Sequence, residues 1–179
     1  DGLIGGTGTI NADLFGDEAS SAMVVHYDYT VLAGTQGGRN HYKQDRLFEL
    51  ALRFRMPLVL FSEGGGGRPG DDDLGPGVSF DTHTFTQFAK LSGAVPMIGV
   101  NHGRCFAGNT VLLACCDVII ATKGSTIGMG GPAMIEGGGG RPGDDDLGPG
   151  VSFDTHTFTQ FAKLSGAVPM IGVNHGRCF

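Results

Sequence analysis

Apolar residues along this chain alternate between short β-branched runs and helical spacing, and the changes of period lay out its elements. Residues 3–11 (LIGGTGTIN) and 22–32 (AMVVHYDYTVL) are rich in β-branched and aromatic residues, with Gly, Asp and Ser between them, which predicts two strands. From about residue 40 to 54 the apolar positions Leu47, Leu50, Ala51 and Phe54 fall at helical spacing, while Arg46, Glu49 and Arg53 take the other faces. Pro57 closes that helix, because the residue before a proline is pushed out of the helical region, and opens a short strand over 58–61.

A Gly, Pro and Asp loop follows over 63–77. The pattern then predicts a second helix from about 80 to 91, with Asp81 or Thr82 as its cap and Gly93 as its end. Residues 95–100 read as a strand, 101–106 as a tight turn, 107–115 as a buried helix and 117–121 (DVIIA) as a further apolar strand. The remainder, 126–135, reads as irregular and Gly-rich. Strand, loop, helix, strand, helix, strand is an α/β order with parallel neighbours.

Residues 63–106 recur letter for letter as 136–179, 44 identical positions at an offset of 73. Structural repeats diverge in sequence, so this identity marks a recent duplication or a misjoin. The join falls in a glycine run, since Glu136 and its four glycines repeat Glu63 and its four. Residues 1–139 are therefore the informative sequence, and 140–179, the duplicate of 67–106, is not expected to be an independent domain. The copy stops at Phe179, one residue short of the equivalent of Ala107. With one slot for two identical helix and strand pairs, it is expected to be displaced, loosely packed or swapped into a neighbouring chain.

Composition narrows the class. A chain of 179 residues, 40 % hydrophobic and 17 % charged, can hold one globular core. A net charge of −6 without a Lys or Arg run argues against a nucleic-acid or anionic-membrane surface. The longest apolar stretches, 57–61 and 111–116, fall short of the ~20 residues of a spanning helix. No targeting leader is visible, and the reading is of a soluble, cytoplasmic protein. Cys178 duplicates Cys105, and Cys105, Cys115 and Cys116 show no C-x-x-C spacing, so no metal is expected and they read as small buried side chains.

Two Gly-containing turns lie at the carboxyl ends of successive predicted strands, 64–68 after 58–61 and 103–109 after 95–100. Ligands bind at this edge of parallel α/β sheets. Main-chain N–H groups without a helical partner can point into a shared cleft there, and two of them can hold the oxyanion that enolate chemistry on a thioester creates. The glycine run is not a P-loop, because no Gly-Lys-Ser/Thr follows. Residues 71–73 lack EF-hand spacing and read as a solvated acidic loop. Glu63 is the one acid beside the first turn, and no Ser–His–Asp or paired-carboxylate arrangement is present. His102 borders the second turn, where a turn hydrogen bond is expected of it.

Residues 99–121 (GVNHGRCFAGNTVLLACCDVIIA) resemble the second oxyanion segment of the crotonase superfamily. Together with 7–11, 29–37, 50–52, 62–68 and 107–108 they resemble the amino-terminal half of the carboxyltransferase subunit of biotin-dependent acyl-CoA carboxylases, over about residues 1–139. The resemblance implies a truncated crotonase-like (ββα) superhelix fragment with a duplicated carboxyl-terminal segment. It also implies carboxyl transfer from N-carboxybiotin to the α-carbon of an acetyl- or propionyl-type acyl-CoA. Biotin's ureido nitrogen would take the α-proton, so little is asked of side chains. A first donor would come from the turn 64–68, with Gly65 and Gly66 at its centre, and a second from Ala107 and Gly108, Ala107 standing where many relatives carry Gly. Lys43 and Arg68 would meet the coenzyme A phosphates, and Arg104, in place of a common Pro, would alter the pocket mouth.

The same resemblance implies a homo-oligomer at full length, with biotin carboxylase and biotin carrier partners. It assigns the biotin side of the site to a half not found here, so this chain alone is expected to be inactive. Alternatives are a decarboxylase or transcarboxylase component and an inactive acyl-CoA-binding fragment. A hydratase, which would be expected to need two acids, fits poorly with Glu63 alone.

Overall fold

The computed structural model describes residues 2–67, 83–131, 136–137 and 171–173. Strands β1 (Leu3–Thr9) and β2 (Ser21–Tyr27) pair antiparallel, from Leu3 opposite Tyr27 to Thr9 opposite Ser21. Two single-turn helices, α1 (Ala12–Phe15) and α2 (Asp17–Ser20), fill the link that the hydrophobic pattern left unassigned. β2 stops five residues short of its expected end. Asp28 accepts the N–H of Thr30 at 2.9 Å and its hydroxyl at 2.6 Å, and this local turn draws the chain off the sheet.

Helix α3 (Gly38–Phe54) covers the sheet with a buried stripe of Asn40, Gln44, Phe48 and Ala51. Leu47 and Leu50 pack beside it as expected, whereas Phe54 is 61 % exposed. Phe54 follows Phe48 by six residues, which at 3.6 residues per turn sets it about 120° away around the helix. The stripe therefore starts on two polar residues and excludes the terminal aromatic.

Strand β3 (Leu58–Phe61), helix α4 (His83–Ala89), strand β4 (Met97–Asn101), helix α5 (Gly108–Ala114) and strand β6 (Val118–Ala121) follow the predicted order. Residues 80–82, the expected start of α4, and the loop 68–82 lie outside the described residues. Two further strands were not foreseen: β5 (Arg104–Phe106) within the expected tight turn, and β7 (Thr126–Gly128) within the expected irregular segment. They pair in parallel as a small second sheet, Cys105 opposite Ile127.

The main sheet has the order β1-β2-β3-β4-β6-β8, where β8 is Ile171–Val173, and every pair after β1 is parallel. Its core joins Met23, Val25 and Tyr27 of β2, Leu58 and Leu60 of β3 and Met97 of β4 to Phe48 and Ala51 of α3 and Phe88 of α4. Phe48 and Phe88 meet edge to face at 4.9 Å, the geometry their quadrupoles favour.

Strand β8 belongs to the second sequence copy. Ile171, Gly172 and Val173 sit opposite Val118, Ile119 and Ile120. Their counterparts Ile98, Gly99 and Val100 sit opposite the same three residues from the other side. These three residues of the copy thus take the open edge of β6 and leave the first copy in its slot. Because β2, β3, β4 and β6 run parallel, the segments after Tyr27, Phe61 and Asn101 gather at one end of the sheet.

Candidate functional site

At that end three segments lock together around Asn109, which is fully buried in the first turn of α5. Its Oδ1 accepts the N–H of Gly66 at 3.1 Å. Its Nδ2 donates toward the carbonyls of Gly34 at 3.4 Å and Glu63 at 3.5 Å. Gly64 must be glycine for this packing: a Cβ there would stand 2.1 Å from Nδ2 of Asn109 and 2.2 Å from the Gly34 oxygen. Short parallel bridges extend the joint, Gly64 with Cys105 and Gly67 with Gln36.

The two expected turns do meet. Gly66 has φ +83, and a Cβ there would lie 2.5 Å from the Ala107 Cβ and 3.4 Å from the Gly108 nitrogen. The N–H groups of the turn are mostly taken. Gly64 donates to Arg104 at 2.8 Å, Gly65 to Ala33 at 3.0 Å, Gly66 to Asn109, and Ala107 to Gly128 at 3.1 Å. Among the described residues no acceptor meets the N–H of Gly67 or of Gly108, the first residue of α5. Of the residues in the turns expected to supply donors, Gly67 and Gly108 retain open N–H groups, while those of Gly65, Gly66 and Ala107 are engaged inside the fold.

Orientation follows from the peptide plane. Gly66 accepts the N–H of Gln36 at 2.6 Å through its carbonyl. The N–H of a trans peptide points opposite to the carbonyl of the same plane, so the Gly67 N–H faces away from Gln36. At the second turn Ala107 has φ 49 and ψ −120, a conformation suited to glycine, and it sends the chain directly into α5. Thr110 steadies that entry by donating to the carbonyls of Cys105 at 2.8 Å and Gly128 at 2.9 Å.

Side-chain acids and bases are scarce. Glu63 accepts the His102 N–H at 2.5 Å through Oε1, while its Oε2 is buried with no partner among the described residues. His102 is exposed, and its main chain serves the turn, its carbonyl also accepting the Thr122 hydroxyl at 3.0 Å. Burial pushes the Cys105 thiol up to about 11, against the lowering pull of hydrogen bonds with Ser62 and Thr110. Burial likewise holds the Tyr27 hydroxyl well above its usual range.

Lys43 lies on α3 and donates from Nζ to the Leu3 carbonyl at 2.5 Å, and since Leu3 pairs with Tyr27 it stands at the site end of the sheet. Arg104 is exposed on β5, beside the turn that its carbonyl holds. Arg68 falls outside the described residues. Among the described residues no group of three or more His, Cys, Asp or Glu is placed to hold a metal ion. No described helix is long and apolar enough to cross a membrane.

Comparison with known proteins places the chain in a family. A carboxyl transferase domain model matches residues 1–178. The methylmalonyl-CoA carboxyltransferase 12S subunit of Propionibacterium freudenreichii subsp. shermanii is 34 % identical over 139 residues, 76 % of this chain and 24 % of that protein. Among solved structures, a single-chain, multi-domain long-chain acyl-CoA carboxylase superposes with a TM-score of 0.70 at 61 % identity, over 78 % of this chain and 14 % of that one. A transcarboxylase 12S hexamer with hydrolysed methylmalonyl-CoA bound gives a TM-score of 0.64 at 29 % identity, over 78 % and 26 %. The chain spans about a quarter of the length of these curated relatives or less. By its sequence and by its parallel-sheet core, the chain belongs to the carboxyl transferase family of biotin-dependent acyl-CoA carboxylases and transcarboxylases.

Proposed function

We propose that this chain contributes the acyl-CoA side of a carboxyltransferase site, with the main-chain N–H groups of Gly67 and Gly108 holding the thioester oxygen as it becomes an enolate oxyanion. The observation that carries this reading is the pair of open N–H donors on two abutting turns at the carboxyl end of a parallel sheet. Fixed donors lower the barrier because they need no reorganisation when charge develops. Biotin, borne by a partner protein, would supply the carboxyl group and the nitrogen that accepts the α-proton. A donor set of two amides fits that division of labour, and Glu63, the acid beside the turn among the described residues, holds the His102 N–H through Oε1. Lys43 and Arg68 are the cations assigned to the coenzyme A phosphates, and Arg104 is assigned to the pocket mouth.

Residues 1–139 would form the transferase portion, with 140–179 a second copy of 67–106 rather than a domain of its own. A biotin carrier and a biotin carboxylase complete the reaction, in a cytoplasmic homo-oligomer. An acetyl- or propionyl-type substrate was the expectation from sequence. A long-chain substrate is the second reading, favoured by the 61 % identity to a long-chain acyl-CoA carboxylase.

Titration of the chain with acetyl-, propionyl- and palmitoyl-CoA, followed by the amide resonances of Gly67 and Gly108, tests this. The expected result is saturable binding that moves both resonances, strongest for one chain length. Absence of binding by any acyl-CoA, or binding that leaves both amides unmoved, overturns it.

A further inference from the structure

Gln36 touches both donor turns, one with its main chain and one with its side chain. Its N–H fixes the Gly66 carbonyl at 2.6 Å and so sets the plane that carries the Gly67 N–H. Its Oε1 faces the start of α5, lying 3.1 Å from where a Cβ on Gly108 would stand. The side chain is 1 % exposed, and its Nε2 donates to the Tyr27 hydroxyl at 3.0 Å. Tyr27 is itself fully buried, and Gln44 of α3 donates to the same hydroxyl. A buried amide held this way has little rotamer freedom, because turning away would leave its own N–H unpaired in the core.

We propose that Gln36 is a positioning residue that sets the separation and direction of the two oxyanion donors, with Tyr27 and Gln44 as its brace. The inference rests on the reading of Gly67 and Gly108 as those donors. Three polar residues would have no reason to meet in this core if packing alone were at stake. Aliphatic side chains of similar volume would fill the same space without hydrogen-bonding demands. What the polar brace adds is a fixed lateral position for a side chain lying against Gly108, on the same residue whose main chain aims Gly67.

The test uses the full chain and [1-13C]propionyl-CoA or [1-13C]palmitoyl-CoA, whichever binds more tightly. The infrared carbonyl stretch of the bound thioester reports how strongly the donors polarise it. In the wild-type chain the band moves to lower frequency on binding. Gln36→Leu keeps the main-chain bond and the volume but releases the side-chain contact. The expected result is a band returned most of the way to its free position, with binding of the corresponding thioether, which lacks the carbonyl, unchanged within about twofold. Tyr27→Phe, which removes only the brace, is expected to return part of the shift and serves if Gln36→Leu does not fold. An unchanged band in both folded variants overturns the positioning role while leaving the donor assignment intact. A wild-type band that never moves on binding overturns the donor assignment, and the positioning role with it.

Discussion

Asn109 holds the N–H of Gly66 at 3.1 Å, so a side chain at the start of α5 fixes the turn that follows β3. The same amide reaches the carbonyls of Gly34 and Glu63, and three segments distant in sequence share one buried partner.

Replacing that partner leaves a buried N–H and two carbonyls without their bonds. Asn109→Ala is therefore expected to destabilise the chain by about 2–4 kcal/mol, read as a lower urea midpoint. Asn109→Asp keeps the acceptor for Gly66 but turns a charged oxygen toward two carbonyls, and its loss at neutral pH should be at least as large.

Ala107 bears a side chain at φ 49, ψ −120, where glycine is at ease. Ala107→Gly removes strain of about 1–3 kcal/mol and adds about 0.5–1 kcal/mol of unfolded-chain entropy, so a small rise in melting temperature is expected. Gly66→Ala, whose new Cβ would lie 2.5 Å from that of Ala107, should be strongly destabilising and be partly rescued in the Ala107→Gly background. Additive effects in that double-mutant cycle would contradict the contact.

Cys105 is a thiol whose folded pKa is raised from 9.0 to about 11 by burial. A raised acid binds its proton more tightly when folded, so its contribution is fully present below pH 9 and is lost as pH climbs from 9 to 11. Burial raises Cys116 and Tyr27 in the same direction. Denaturation midpoints measured across that window should fall, and Cys105→Ala should flatten the fall at the expense of a lower plateau.

Glu63 tests the distinction between a clasp and an acid. Glu63→Gln retains an oxygen for the His102 N–H and should keep stability within about 1 kcal/mol, whereas Glu63→Ala leaves that N–H open and should cost about 1–3 kcal/mol. A loss for Glu63→Gln as large as for Glu63→Ala, in urea unfolding, would show that the charge itself matters.

The order of the main strands was legible because Leu58–Phe61 and Val118–Ala121 are short apolar runs bounded by turn residues, and α3 carries a clear helical period. Strands β5 and β7 were not legible, since each has three residues and exists only because the other lies beside it. The glycine turns could be found at strand ends, but not which amides stay open. That depends on partners as distant as Ala33 for Gly65 and Gly128 for Ala107. Asn40 and Gln44 are in phase with Phe48 and Ala51, a pattern that brings polar side chains into the core at one end of α3. Asn109 and Thr110, polar residues opening an otherwise apolar helix, carried a similar hint.

Strand β6 meets the same three letters, Ile-Gly-Val, on both flanks and in one register. Its neighbours are therefore indistinguishable by sequence, and an exchange of the two would leave every ladder hydrogen bond and every sheet-averaged spectrum as before. The inner strand is synthesised first, so it is expected to settle between β3 and β6 before its twin exists. Only a mark that makes the twins unequal, such as an isotope placed by segmental ligation in one of them, can reveal whether they ever trade places.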